Sequence, residues 1–581
     1  MKTIFSRIKL KGRQLFMLSI LVLFASAAEM LLPSLLAEMI NTGVSNSDSG
    51  VVVTLAVIMG VVTLLTCIVN FLSVRIASRI STDFSAALRE QVFEKVQSFS
   101  AAELDRFGTA SLVTRSTSDI TNVQNFLTMF LRIGLLAPMM AAAGLAFSAA
   151  TGGQVSSVLM VSIPVLLIGC GMIILPASRY SVRLRKKLDR INRLFLEALE
   201  GVRVIRAFNK QKTESRRFNE SNIDYAETAM AAGRINGLLM PVINVIFGIT
   251  TAAVLGLGAH YAETGAMAVG SLVANSQYIS LVLMSVMMLA LVIMMFPTAY
   301  ACSARIAQVL ETEPGIKDGS FDFRERPLRS TVEFRHVTFA YPGASEPILK
   351  DISFRTNPGE ITAIVGGTGR GKSSILKLIP RLYDPLFGEI LIDGINAKDY
   401  AVDDLRSIIG YVPQKNVLFS GDFASNLNFG KKDGTLEEWQ ESAEIACARE
   451  FILKKEDGYH SPVAQGGTNL SGGQRQRMAI ARAVMKKPEI YVFDDSFSAL
   501  DIKTEQTLRK NLKSAMGNAS VILVTQRISS ILDADQILVV DDGRIVGQGT
   551  HKELLKSCPL YGEIAEIQLG KEALQSEETS H

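Results

Sequence analysis

Up to about residue 300 the apolar positions fall in six long runs with few charges: Leu15 to Ile40, Val51 to Val74, Phe126 to Ala149, Val155 to Pro176, Leu238 to His260 and Ser271 to Phe296. At 1.5 Å per residue, roughly 20 such residues cross a hydrocarbon core of ~30 Å, so the pattern predicts six transmembrane helices. The second run does not stop where the membrane should. Its continuation, "RIASRISTDFSAALREQVFEKVQSFS", keeps apolar residues at helical spacing with no proline or glycine before Gly108. One helix of roughly 75 Å is therefore expected from Val51 to Ser100. The stretch from Ser178 to Arg234 repeats the pattern between the fourth and fifth runs. Two long helical hairpins should project into the cytosol, with turns near "SLVTRSTSD" and "VRVIRAFNK" touching a soluble domain. Beyond residue 315 the pattern changes to short apolar runs separated by glycine turns and amphipathic stretches, which reads as a soluble α/β domain.

Composition supports this division. A chain of 581 residues is too long for one ordinary domain, and 48% hydrophobic residues is too apolar for a purely soluble one. The net charge of +4 is small and argues against a nucleic-acid partner. Its distribution says more: Lys2, Arg7, Lys9, Lys11 and Arg13 precede the first span, whereas the loops "NTGVSNSDSG", "TGGQ" and "YAETGAMAVG" carry no Lys or Arg. By the positive-inside rule both termini of this multi-pass protein are cytoplasmic. A cleavable signal ending at Ala25-Ser26-Ala27 is the alternative, but the apolar run continues to Ile40 and its removal would leave an odd number of spans. Cys67, Cys170, Cys302, Cys447 and Cys558 form an odd set without paired spacing, which points to reduced thiols rather than disulfides or zinc.

Within the spans, Glu29 is costly enough to require the protein interior or a wet cavity. It is either a substrate or proton contact or a hydrogen bond to a neighbouring helix, and both readings stand. Arg132 lies near the cytosolic end of its span, where snorkelling accounts for it. The methionines of "LMSVMMLALVIMM" either line an adaptable hydrophobic pocket or pack against helices and lipid.

The soluble half carries the chemistry. "AIVGGTGRGKSSILKLI" reads as strand, glycine-rich turn and helix, and Gly366 to Ser373 fits G-x-x-x-x-G-K-[ST]. In that pattern the backbone N–H groups of Gly366, Gly367, Thr368, Gly369, Arg370 and Gly371 wrap phosphate oxygens, Lys372 reaches the outer phosphates, and Ser373, followed by Ser374, binds Mg2+. Arg370 is unusual between two loop glycines, and either points to solvent or adds charge near a nucleotide. Further on come "YVPQ" ending in Gln414, "NLSGGQRQRMAIARAV" opening a helix, "EIYVFDD" as a second acidic strand, "SALD" and "VTQR".

Together these ordered motifs resemble the ATP-binding cassette (ABC) family, and six spans followed by one cassette resemble an exporter half-transporter of that family over nearly the whole chain. The implied fold is an all-α six-helix transmembrane domain with long cytoplasmic extensions (1–312), a linker (313–330), an α/β P-loop nucleotide-binding domain (331–566) and a polar tail (567–581). The resemblance further implies that Tyr341 stacks on adenine, that Gln414 completes the magnesium shell and senses the membrane half, and that Asp494 holds magnesium through water. In the signature Leu470, Ser471, Gly472, Gly473 and Gln474, Ser471 caps a helix whose free N–H groups face the γ-phosphate of ATP on the opposite cassette. Asp501 belongs to the D-loop. One chain is then never a complete site.

Two positions depart from the family. Members that hydrolyse ATP well place Glu after the second acidic strand and His in the switch loop, where this chain has Asp495 and Gln526. Asp is shorter by roughly 1.5 Å, against the ~2.6–3.2 Å reach a base needs, and Gln cannot become a cation. The resemblance thus implies a site that binds ATP and hydrolyses it slowly. It also implies a second half-transporter with consensus Glu and His, surrounding membrane lipid, and a hydrophobic small-molecule substrate, as in heterodimeric multidrug exporters. A lipid flippase or peptide exporter, and an ATP-gated channel or regulatory subunit, are the competing readings.

Overall fold

The computed structural model describes Ile4, residues 12–321 and residues 330–570. Lys2, Arg7, Lys9 and Lys11, residues 322–329 of the expected linker and residues 571–581 of the expected tail lie outside the described residues. The chain divides into two compact units, Met1–Lys95 with Val113–Glu311, and Val96–Leu112 with Thr312–His581.

Hydrocarbon offers no partners to peptide groups, so an apolar run must close its own hydrogen bonds, and the first unit is helical. In chain order the helices are α1 (Gly12–Glu38), α2 (Ser49–Gln97), the short α3 (Ala101–Phe107), α4 (Thr109–Thr151), α5 (Ser157–Glu200), the short α6 (Val202–Ala207), α7 (Gln211–Glu263) and α8 (Val269–Glu311). The six long ones each contain one of the six apolar runs and are long and apolar enough to cross a membrane. Only 6% of the most apolar window of α2 is buried, so its exposed Val53, Val57, Val61 and Leu64 require lipid or another subunit as cover. Between α1 and α2, Asn70 Nδ2 approaches Glu29 Oε1 at 3.5 Å, a contact to a neighbouring helix. Arg132 is exposed on α4.

The first hairpin turn falls earlier than expected. Ser100 starts a new helix through a capping box with Glu103, and Gly108, at φ 73°, ends it. This helix, α3, belongs with the second unit. There Ala101 and Ala102 pack against the same core cluster as Tyr341, Gly315 N donates to Glu103 Oε1 at 3.2 Å, and Tyr383 Oη donates to Asp105 Oδ2 at 2.7 Å. Of "SLVTRSTSD", Ser111 and Leu112 group with α3, and the rest, residues 113–119, falls in the first unit. Arg305 of α8 grips buried Asp119 with two bonds of 2.8 and 2.5 Å, and Arg115 donates to Arg305 O and Gln308 Oε1 at 2.8 and 3.1 Å. Its charged residues tie α4 to α8, so the contact expected of this stretch is made by α3. The second turn, α6, lies where "VRVIRAFNK" placed it and groups with the first unit, exposing Val204 and Phe208.

Among the described residues the second unit holds two main sheets and one short antiparallel pair, Gly421–Asp422 with Pro462–Val463. Strands β1 (Val332–Phe339), β2 (Leu349–Thr356), β4 (Phe387–Ile392) and β5 (Ile395–Asn396) form an antiparallel sheet in the order β2-β1-β4-β5. A six-stranded sheet follows the order β10-β9-β3-β8-β7-β6, from β10 (Arg544–Gly549), β9 (Gln536–Asp541), β3 (Ile361–Val365), β8 (Ser520–Val524), β7 (Ile490–Asp494) and β6 (Ile409–Val412). All its pairs are parallel except β9 with β10. Parallel strands covered on both faces read as continuous apolar runs, as "IYVFD" does. Side chains alternate between faces, so Tyr491 and Phe493 enter one core cluster while Ile490 and Val492 enter the other, shared with the antiparallel sheet and with helix α9 (Lys372–Leu378). The same alternation puts Asp494 on the α9 side.

Because the bond from Tyr383 ties a side chain of α3 to the rest of the second unit, Tyr383→Phe should loosen that helix at a cost of about 1 kcal/mol. Limited proteolysis should then cut faster between Val96 and Leu112 while nucleotide affinity is unchanged; an unaltered cutting rate would show that the Ala101 and Ala102 packing suffices.

Candidate functional site

The loop between β3 and α9 is shaped by two glycines that no other residue could replace. A Cβ on Gly366, at φ 145°, would lie 2.1 Å from Val540 O, and one on Gly371, at φ 92°, would lie 2.7 Å from Leu349 Cδ2. The loop borders a cleft of about 220 Å³. Thr368, Gly369, Arg370, Gly371, Lys372, Ser373 and Ser374 line it together with Tyr341, Gln414, Asp495 and Gln526. Five separated segments of the sequence thus meet in one place.

Lys372 Nζ donates to Gly366 O and Gly367 O at 2.8 and 2.7 Å, spanning its own loop. Burial holds its ammonium below the usual lysine range. Ser373 Oγ donates to Asp494 Oδ1 at 2.7 Å, and burial pushes this carboxyl above the usual carboxylate range. Asp495 is raised too, first by burial and then by the adjacent Asp494 charge, against a hydrogen bond from Gln414. The hydroxyl of Ser373, the carboxylate of Asp494 and the amide oxygen of Gln414 form an oxygen-only donor set, the kind Mg2+ takes, and the 2.7 Å bond brings two of the three within reach of one ion.

Tyr341 lies at the cleft with its hydroxyl 3.0 Å from Ser374 Oγ and its ring edge-on to Phe339 and Tyr383. Arg370 follows neither expected course alone. Its Nε pairs with Asp541 Oδ1 at 3.2 Å at the end of β9, while the residue still lines the cleft. The signature lies outside the cleft. Ser471 caps α10 (Gly472–Met485) in a box with Gln474, Leu470 is buried, and a Cβ on Gly473 would meet Ala499 O at 3.1 Å. Asp501 caps α11 (Ile502–Ala515) by accepting from Thr504 N at 2.9 Å.

The two departing positions touch. Gln526 Nε2 donates to Asp495 Oδ2 at 3.3 Å. Asp495 has φ 47°, a left-handed backbone that aspartate visits more readily than most side chains but that still costs free energy and persists where neighbours over-determine it. The neighbours do so: its N–H donates to Val524 O at 3.0 Å, and buried Gln476 donates to its O at 3.3 Å while accepting from Ala499 N at 3.1 Å. Arg527, next to the switch residue, donates to Leu500 O, Ser498 O and Glu505 Oε2 at 3.3, 3.0 and 2.7 Å. Gln476 binds backbone of a distant loop, and Arg527 binds backbone of the same loop together with the Glu505 carboxylate 22 residues away in the chain, so both escape a sequence reading. Their only local sign is a polar residue inside a motif.

A separate cavity of about 290 Å³ lies in the first unit between α5, α7 and α8. Leu166, Met240, Ile243, Phe247, Met284 and Met287 line it, with Asn244 and Ser280 as polar groups; Glu29 is not among its lining residues.

Fold and cleft together define a membrane-embedded P-loop nucleotide-binding protein, and sequence comparison gives the family. Residues 15–300 match the ABC transporter transmembrane region and residues 349–498 match the ABC transporter domain. An uncharacterized ABC transporter ATP-binding protein of Mycobacterium tuberculosis is 40% identical over 565 residues, covering 96% of each chain. A Staphylococcus aureus ATP-binding/permease protein named for multidrug export is 34% identical over 372 residues, 64% of each chain. A solved bacterial Atm1-family ABC exporter with ATP bound shares the fold at a TM-score of 0.80 and 24% identity, over 96% of this chain and 98% of that one. The chain belongs to the ABC transporter family: an ATP-binding, multi-pass membrane protein with an exporter fold.

The raised Asp494 carboxyl has a thermodynamic consequence. A folded state that takes up a proton more readily than the unfolded chain loses stability as pH rises from the ordinary carboxylate range through the raised value. Asp494→Asn should therefore raise the melting temperature of the nucleotide-free protein at neutral pH, with the gain shrinking on acidification, while abolishing the further rise given by magnesium ATP. Thermal melts with and without nucleotide check both; a nucleotide-free variant less stable than wild type would refute the charge argument.

Proposed function

We propose that the chain is one half of a heterodimeric, ATP-driven exporter of hydrophobic or amphipathic compounds, with both termini cytoplasmic in a bacterial-type plasma membrane. Its own ATP site is slow, and its signature serves the faster site of the partner. The observation that carries this reading is the 3.3 Å contact between Gln526 and Asp495 beside a phosphate loop and signature that are otherwise complete.

ATP binding falls to the residues of the cleft. Lys372 exchanges its two loop carbonyls for phosphate oxygens, Tyr341 offers a ring to adenine, and Arg370 adds a cation at the rim. Ser373, Asp494 and Gln414 would hold Mg2+, which when bound neutralises phosphate charge. Hydrolysis needs a base for water. Asp495 is short for that role, and its Oδ2 is occupied by an amide that donates a hydrogen bond but neither accepts nor carries a proton. Ser471 holds α10 with its first N–H groups free for a phosphate brought by another cassette. The apolar, methionine-bearing cavity supports an apolar cargo, as does the naming of the Staphylococcus aureus relative for multidrug export.

The full chain alone should bind magnesium ATP yet turn it over slowly, and Asp495→Glu combined with Gln526→His should raise its rate about tenfold or more. With its partner, Lys372→Ala should lower turnover only in part. Replacing Ser471 or Gly473 should damage the pair more than Asp495→Asn does, since the signature acts on the fast site. Steady-state ATPase assays in lipid nanodiscs decide the matter. Robust hydrolysis by the wild-type chain alone, or an Asp495→Asn defect equal to the signature defects, would remove the division of labour.

A further inference from the structure

The switch segment is held from a direction that neither the phosphate loop nor the signature accounts for. Helix α12 (His551–Ser557) is followed by α13 (Pro559–Leu569), whose last turn carries Gln568. Gln568 Nε2 donates to Gln526 O at 2.7 Å, and Gln568 Oε1 accepts from Ile528 N at 2.8 Å. Both ends of one amide are used, and only one orientation of that amide satisfies both bonds. The carbonyl of Gln526 and the N–H of Ile528 lie two residues apart and beyond the end of β8. The side-chain amide serves them as a peptide group of a neighbouring strand would.

The helix that carries this amide is firmly seated. Tyr561 and Ala565 of α13 are fully buried in the core cluster that also contains Ile528, Ile531 and Ala534. Tyr561 Oη is 2.7 Å from His551 Nδ1, which ties α13 to the start of α12. On the other side of the gripped backbone, the Gln526 side chain meets Asp495, and Arg527 holds the carbonyls of Ser498 and Leu500. Gln476 then links that loop to α10. A rigid support therefore fixes three residues, and those three fix the base position and the loop that leads to the signature helix.

We propose that Gln568 is a positioning residue for ATP turnover, setting the switch segment Gln526–Ile528 from the carboxy-terminal helix and through it both Asp495 and the Ser498–Leu500 loop. The inference takes ATP turnover as its readout and holds for a site in this chain or one served by its signature, so it stands apart from the asymmetric reading above. It also makes α13 a point from which anything that shifts this helix would alter turnover without touching nucleotide.

Gln568→Met keeps the length of the side chain and removes both bonds, whereas Gln568→Glu keeps an acceptor for Ile528 N and loses the donor to Gln526 O. In full-length protein in nanodiscs, in whichever assembly turns ATP over, Gln568→Met should lower kcat about threefold to tenfold while KM for ATP changes less than about twofold, with Gln568→Glu between it and wild type. Amide exchange at Ile528 should quicken in the Met variant. Wild-type kcat in a folded Gln568→Met protein would overturn the proposal. So would a parallel loss in kcat and KM, which would mean collapse of the cleft. If the Met variant melts early, Gln568→Glu decides: a kcat loss with a wild-type melting temperature supports the proposal, and unchanged kcat overturns it. Fast turnover by the wild-type chain alone would count only against the asymmetric reading.

Discussion

An Asp494 carboxylate ends a strand in which every residue is buried, and the nucleotide unit is organised around the difficulty of keeping that charge there. Desolvation alone would neutralise it. The fold answers with Ser373, whose hydroxyl donates at 2.7 Å from the first turn of α9, and with Lys372 nearby. Both come from a loop whose backbone passes too close to Val540 to tolerate a side chain at Gly366. The alternation of β7, the glycines and the helix start are thus three solutions to one electrostatic problem. Asp495 worsens that problem by placing a second carboxylate beside the first, which is affordable only where a cation is to be held.

The membrane unit meets a different constraint with one kind of element. An α-helix satisfies its own peptide groups in hydrocarbon and in water alike, so α2 can run from one solvent into the other without a break. What changes along it is the composition of its faces. Beyond its apolar run the buried Ala77, Ile80, Phe84, Leu88 and Val92 are spaced three or four apart as a stripe, with buried Ser81 and Ser85 beside it. The charged residues between them face water. Pro33, Pro138, Pro164, Pro176 and Pro297 sit inside the long helices without ending them.

Legibility in the sequence followed the range of the interaction. The spans, the strand ending in Asp494 and the phosphate loop are local patterns, and each could be read from a dozen consecutive residues. The turn at α3 was equally local. Ser100, Glu103 and Gly108 spell a capping box and a stop, although the later, more charged stretch has the look of the exposed turn. The charge of that stretch belongs to the Asp119–Arg305 tie, which pairs residues far apart in the chain. Arg370 with Asp541 and Tyr383 with Asp105 are of the same kind, and no spacing rule finds them. The Arg527–Glu505 pair belongs with them, while Gln476 and Gln568 are harder still, since each binds backbone groups, and backbone leaves no residue type to recognise.

The contact between Asp495 and Gln526 shows why two departures from a family pattern can form one arrangement. The Asp495 carboxylate finds a donor for its Oδ2 at 3.3 Å in the neutral amide of Gln526. The pair satisfies itself: the acceptor is filled, the left-handed backbone at Asp495 gains a support, and no proton has anywhere to go. An imidazole in place of the amide would bring a titratable donor, and a glutamate would restore reach. Either change alone would leave the other group poorly matched in length or charge. On the proposed reading, the same hydrogen bond that steadies the loop also withholds the base from water. Under the proposed division of labour, a site can be kept for binding by altering two side chains while the signature helix, capped by Ser471 and braced through Gln476, remains fit to serve another site.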